Sequence, residues 1–86
     1  MKSFEYTIRD EAGIHARPAG LLVKRADKFV SDIEVCNSDG KCADAKRLFS
    51  VMSLGIKKGE TITVKISGQD EDTACMDLME FFRETL

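Results

Sequence analysis

The sequence has no tryptophan, one proline and one histidine among its 86 residues. It also has no apolar run long enough for a membrane-spanning helix, so we expect no membrane insertion. Its 13 lysine and arginine residues are outnumbered by 15 aspartate and glutamate residues, and the chain lacks the basic surplus that nucleic acid binding usually requires. The first residues contain no apolar segment of the signal-peptide type, which predicts a cytoplasmic protein.

Cysteine is scarce, and its three copies show no CxxC spacing. Cys36, Cys42 and Cys75 are therefore expected to be free thiols in a reducing compartment. Cys36 and Cys42 flank a turn, which leaves open whether they face each other and pair. Because only one histidine is available to complete a zinc site, we expect no metal and no cofactor.

The composition that remains is typical of a soluble globular protein. Hydrophobic residues make up 43% of the chain and charged residues 33%. The chain shows no internal repeat, linker or low-complexity segment, and its length suits one small domain. We therefore predict a single domain over residues 1–86.

Apolar spacing divides the first half of the chain into strand, helix, strand and strand. Phe4, Tyr6 and Ile8 alternate with polar residues, as in a half-buried strand. Pro18 suits the first turn of a helix. The predicted apolar stripe of this helix is Ala19, Leu22, Val23, Ala26 and Phe29 or Val30. Ile33 and Val35 mark a second strand, and the turn residues 37–40 lead into a short third strand over 41–43.

The second half of the chain predicts helix, strand and helix. The spacing of apolar residues indicates a helix over 45–54 that ends at Gly55, and strict alternation indicates a strand over 61–67. Carboxylates at 70–72 suit the start of a last helix, whose predicted buried face is Ala74, Leu78, Phe81 and Phe82. The order β-α-β-β-α-β-α favours an α+β fold with one antiparallel sheet and helices on one face.

The segment Gly13–Ala19 contains the only histidine, and it does so where a loop gives way to a helix. A neutral imidazole at His15 is a nucleophile near neutral pH. The backbone N–H groups of Ala16 and Arg17 lie at the helix start, where N–H groups lack partners and bind anions such as phosphate. The Arg17 guanidinium adds a permanently charged, forked donor. These residues fit a phosphoryl acceptor, and they also fit a surface histidine beside a solvated arginine.

The segment resembles, residue for residue, the active-site motif of the HPr family of the bacterial phosphoenolpyruvate-dependent sugar phosphotransferase system. Two further segments are similar to the same family, 51–55 with Lys58-Gly59, and 68–71. The resemblance covers the whole chain. It implies an open-faced β-sandwich in which three helices cover one side of a four-stranded antiparallel sheet.

The resemblance also implies a function. His15 would be phosphorylated on Nδ1 by enzyme I, with phosphoenolpyruvate as the ultimate donor, and Arg17 would assist the transfer. The acceptor would be a IIA domain of a sugar permease. On this interpretation the protein is a monomeric phosphoryl carrier and not an enzyme.

Leu48, Phe49 and Met52 lie on the short middle helix, which in the family presents apolar side chains to enzyme I and IIA domains. Their spacing predicts that at least one of the three is buried. Because a short helix cannot bury apolar residues on adjacent faces, we expect one exposed pair that contacts partners.

The chain departs from the family pattern at the start of this helix. HPr proteins of Gram-positive bacteria carry a lysine followed by a regulatory serine, whereas here Lys46 is followed by Arg47. We therefore expect the serine-kinase branch of regulation to be absent. The departure leaves a second function open, that of a regulatory paralogue whose phosphohistidine form controls a partner protein. A small enzyme with His15 as general base is less favoured, because no paired carboxylate accompanies the histidine.

Overall fold

A computed structural model describes residues 1–86. Seven elements follow in the predicted order, and their bounds are β1 Lys2–Thr7, α1 Ala16–Ala26, β2 Asp32–Cys36, β3 Cys42–Asp44, α2 Leu48–Met52, β4 Thr61–Ser67 and α3 Glu71–Thr85. The four strands form one antiparallel sheet in the spatial order β1-β4-β2-β3. The predicted α+β class and the open-faced β-sandwich are confirmed.

The core lies between the sheet and the three helices. Alternate residues of the two central strands, among them Val35 and Val64, are directly paired and fully buried. The buried face of α3 is the predicted one, formed by Ala74, Leu78, Phe81 and Phe82. The residues between the buried ones on each strand face away from the helices, which leaves one polar side of the sheet open.

The predicted bounds of two helices are wrong. The α2 helix spans 48–52 and not 45–54, because the carbonyl oxygen and side chain of Asp44 accept the N–H groups of Arg47 and Lys46 in a turn. The α1 helix ends at Ala26, so neither Phe29 nor Val30, the two predicted ends of its apolar stripe, is helical. Val30 is 73% exposed, and its N–H donates to the Asp70 carboxylate instead of continuing the helix.

The prediction of free thiols is wrong for two of the three cysteines. Cys36 and Cys42 are direct register partners on β2 and β3, with Cα atoms 3.9 Å apart, and they form a disulfide. Directly opposed residues of antiparallel strands point to the same face of the sheet, which brings the two sulfur atoms together. Cys75 is free, as predicted.

Candidate functional site

The loop before His15 is fixed by a close backbone approach. Gly13 has a φ of +68°, and a Cβ atom placed there would lie 2.3 Å from the carbonyl oxygen of Ile56. The N–H of the next residue, Ile14, donates to that same oxygen at 3.1 Å, and the Ile14 side chain is buried. Only glycine satisfies both the conformation and the space, so the loop before His15 is fixed against the backbone at Ile56.

His15 is the N-cap residue of α1. Its backbone is extended, with φ −95° and ψ −173°, and its carbonyl oxygen accepts the N–H of Ala19 at 3.0 Å. The imidazole makes no capping hydrogen bond, and 44% of the side chain is exposed. The ring is therefore held at a helix start by the backbone while a large part of the side chain stays exposed.

The first turn of α1 leaves donors free beside the ring. The N–H groups of Ala16 and Arg17 have no carbonyl partner in the chain, and Pro18 has no N–H. The Arg17 side chain is exposed and makes no ion pair or hydrogen bond. Both residues lie where the sequence predicted them, next to His15. The site therefore offers two backbone donors and one unpaired cation to an anion.

A shallow groove of about 310 Å³ runs past the imidazole. Arg17, Leu21 and Glu84 line it together with His15 and Asp10. The groove thus combines one cation with two carboxylates around the ring.

Asp10 is a member of this site that the sequence analysis missed. One of its carboxylate oxygens, Oδ1, lies 3.8 Å from His15 Nε2 and accepts the N–H of Ala12 at 2.9 Å. An aspartate that bonds the backbone two residues on is typical of an Asx turn. The sequence signal was this turn chemistry in Asp10-Glu11-Ala12-Gly13, which bends the loop so that the carboxylate reaches the ring.

The middle helix has one exposed apolar pair, as expected for a helix too short to bury apolar residues on adjacent faces. Phe49 is 83% exposed and Met52 is 37% exposed. Leu48 is partly buried and packs against the core, while Val51 is almost fully buried. Phe49 and Met52 therefore form an apolar surface that the fold itself does not use.

One group of side chains has metal-ligating chemistry, and it lies far from His15 along the chain. Glu34, Cys36 and Cys42 bring their ligand atoms within 4.8 Å of one another. Because the two sulfur atoms are bonded to each other, neither is a thiolate, and thiolates are the metal-binding form of cysteine. In this state the group does not hold a metal.

Residues 2–84 match the family model described as the PTS HPr component phosphorylation site. The phosphocarrier protein HPr of Buchnera aphidicola is 48% identical over 69 residues, which cover 80% of each chain. The chain belongs to the HPr family of phosphotransferase system phosphocarriers.

Two solved structures support the family assignment at the level of the fold. A histidine-containing phosphocarrier protein from Mycoplasma superposes with a TM-score of 0.93 at 36% identity, covering 98% of this chain and 94% of that one. The catabolite repression protein Crh of Bacillus subtilis superposes with a TM-score of 0.77 at 34% identity, covering 100% of this chain and 98% of that one.

The structure contains no helix with the length and apolarity needed to cross a membrane.

Proposed function

We propose that this member of the HPr family accepts a phosphoryl group from phosphorylated enzyme I on His15 Nδ1 and passes it to IIA domains of sugar permeases. The observation that carries the proposal is the accessible imidazole at the N-cap of α1, beside two free N–H groups and the unpaired Arg17 guanidinium. A carrier needs a nucleophile that a partner can reach and donors for the phosphoryl oxygens. On this proposal the carrier itself is not an enzyme, because enzyme I supplies the phosphoryl group and the IIA domains accept it.

In the proposed transfer, the hydrogen-bond donors of the site contact the phosphoryl oxygens. The lone pair of Nδ1 attacks phosphorus, and negative charge on the phosphoryl oxygens faces the N–H groups of Ala16 and Arg17. The Arg17 guanidinium adds a bidentate, permanently charged contact. These groups are in place before the reaction, so little reorganisation accompanies the transfer.

We assign partner docking to Leu48, Phe49 and Met52. The exposed pair Phe49 and Met52 supplies an apolar centre, and Leu48 connects it to the core. An apolar centre within a charged surface is the composition expected where proteins meet. We expect the protein to act as a monomer in the cytoplasm, where enzyme I and the IIA domains reach it.

The test is incubation with enzyme I and labelled phosphoenolpyruvate, followed by candidate IIA domains. We expect label on the wild-type protein that is lost in acid and retained in base, as for a phosphoramidate. His15→Ala should take up no label. Label that persists in His15→Ala, or wild-type protein that enzyme I does not label, would contradict the proposal.

A second function is a regulatory paralogue whose phosphohistidine form controls another protein. The likeness to Crh, a catabolite repression protein, supports it, and so does Arg47 in place of a serine. The 48% identity with the phosphocarrier protein HPr of Buchnera aphidicola, against 34% with Crh, favours the carrier function. The same experiment separates the two, because a purely regulatory protein accepts label from enzyme I and does not pass it to any IIA domain.

A further inference from the structure

Asp10 is the carboxylate nearest to the His15 ring nitrogens. Its Oδ1 lies 3.8 Å from Nε2, and no other carboxylate lies within 4.0 Å of either ring nitrogen. This distance exceeds that of a hydrogen bond, so the contact is electrostatic. The carboxylate is held there by the hydrogen bond from the Ala12 N–H and by the Asp10 backbone, whose carbonyl accepts the Gly13 N–H.

The other charged groups around the ring do not duplicate this contact. Arg17 and Glu84 line the same groove, but neither pairs with the imidazole. Glu11, next in sequence, is directed to Lys58, whose Nζ lies 2.6 Å from its Oε1. Asp10 alone therefore places negative charge against one particular edge of the ring, the edge that carries Nε2.

A negative charge beside one imidazole nitrogen stabilises the tautomer that carries its proton there. We propose that Asp10 is a positioning residue that keeps the proton of neutral His15 on Nε2 and so leaves the lone pair of Nδ1 free. The inference rests on the proposed function, in which Nδ1 is the phosphoryl acceptor. It extends that function by naming the group that selects between the two nitrogens.

Asp10 also lies beside the positive charge that the His15 ring acquires during the transfer. When the Nδ1 lone pair forms the bond to phosphorus, the bond between phosphorus and the phosphorylated donor breaks, and its electron pair stays with the donor. The proton remains on Nε2, so the ring acquires a positive charge 3.8 Å from the Asp10 carboxylate. No proton transfer, metal or further reactant is required.

The tautomer can be measured directly on the unphosphorylated protein. ¹⁵N NMR of labelled His15 at about pH 9, above the ordinary histidine range, distinguishes a protonated ring nitrogen from an unprotonated one. We expect the proton mainly on Nε2 in the wild-type protein. Asp10→Asn removes the charge and keeps an oxygen that accepts the Ala12 N–H, and it should move the two ¹⁵N shifts toward each other.

Two variants make the measurement specific. Glu11→Gln removes the adjacent carboxylate, which pairs with Lys58, and should leave the His15 shifts unchanged. Asp10→Glu keeps the negative charge that Asp10→Asn removes, so its His15 shifts should lie closer to the wild-type values than those of Asp10→Asn. A wild-type protein with the proton mainly on Nδ1, or shifts that are the same in Asp10→Asn and wild type, would overturn the proposal.

Transfer provides the functional readout. The second-order rate constant for phosphorylation by enzyme I should fall about tenfold in Asp10→Asn and remain near wild type in Glu11→Gln. Unchanged transfer in a variant with a shifted tautomer would overturn the role of Asp10 in the reaction. If the wild-type protein accepts no phosphoryl group, the proposed function fails, whereas the NMR result on the unphosphorylated ring still decides the tautomer.

Discussion

Gly13 and Ile56 approach so closely that a Cβ atom on Gly13 would lie 2.3 Å from the Ile56 carbonyl oxygen. The clash involves backbone on both sides, and the φ of +68° at Gly13 adds conformational strain for any other residue. The contact fixes the loop that leads to His15, so the stability of the fold and the position of the site depend on the same glycine.

Gly13→Ala should therefore lower the free energy of unfolding by about 3 kcal/mol or more. Urea unfolding at neutral pH measures this loss. Gly20→Ala is a control of opposite sign, because Gly20 lies within α1, has no positive φ, and has open space where its Cβ would be. That variant should be more stable than wild type by roughly 0.5–1 kcal/mol. Equal effects of the two substitutions would contradict the assigned contact.

Asp70 joins the start of α3 to the segment before β2. Hydrogen bonds from the Ser31 side chain, followed by the Val30 and Ser31 N–H groups, hold the pKa of the Asp70 carboxyl below its ordinary value of 3.8. Because folding lowers this pKa, the ionised carboxylate stabilises the folded state at pH values above the pKa of the unfolded chain. This stabilisation is lost as the pH falls through the lowered folded value.

We expect the stability difference between wild type and Asp70→Asn to be largest near neutral pH and to shrink between about pH 5 and pH 2. Urea midpoints measured across this range test the expectation. Asp39→Asn is the matched control, because Asp39 is an exposed turn residue whose carboxylate accepts no hydrogen bond. A difference for Asp70→Asn that stays constant with pH would show that its charge does not contribute.

Arg17→Lys should slow phosphoryl transfer without loss of the fold. The Arg17 side chain is exposed and unpaired, so its replacement removes no contact of the folded chain. Lysine keeps one positive charge but not the planar fork that contacts two phosphoryl oxygens. Single-turnover transfer from enzyme I, with urea unfolding in parallel, measures both properties. Transfer at the wild-type rate would refute the bidentate role.

Phe49→Ala should weaken transfer from enzyme I more than it weakens folding. Phe49 is 83% exposed, so its loss should change the free energy of unfolding by no more than about 0.5 kcal/mol. If it is an anchor of the docking surface, kcat/KM should fall about tenfold through a higher KM. Val51→Ala is the control in the same helix, since Val51 is buried and its truncation should cost roughly 2 kcal/mol of stability. Comparable losses of folding and transfer in Phe49→Ala would assign it to the core.

The fold was largely predictable from the sequence because apolar periodicity reports which face of each element is buried. The β4 strand has the predicted bounds, 61–67, since its alternation is unbroken. The start of α2 was not predictable from periodicity, because Ala45 is buried although it lies before the helix, and the turn at Asp44 delays the helix. The Cys36–Cys42 pairing depends on the register between strands, which composition does not determine.

The site shows the same division. The motif around His15 and Arg17 was visible because its residues are adjacent in sequence and lie at one helix start. Asp10 was missed because its contact with His15 depends on how the loop between them folds. Functional residues that are adjacent in sequence can be recognised from the sequence, whereas a contact between residues on either side of a turn depends on the conformation of that turn.

The serine kinase that acts on HPr proteins of Gram-positive bacteria should yield no product with this protein and ATP, while His15 should remain fully competent under the same conditions. Arg47 is the N-cap residue of α2, where the family's regulatory serine would stand, and its exposed side chain lies 3.8 Å from Asp44. It has no hydroxyl, and its positive charge is opposite to that of a phosphoserine, which a helix N-terminus favours.

The nearby serines do not replace the missing hydroxyl. Ser50 lies three residues further along, and Ser53 caps the other end of the helix, where its hydroxyl donates to the Ser50 carbonyl oxygen at 2.7 Å. Arg47→Ser should gain ATP-dependent label if the kinase still recognises the surrounding helix, whereas Arg47→Ala, which removes the charge without adding a hydroxyl, should not. Stoichiometric labelling of the wild-type protein, mapped to Ser50 or Ser53 by mass spectrometry, would place the protein in the kinase-regulated branch of the family.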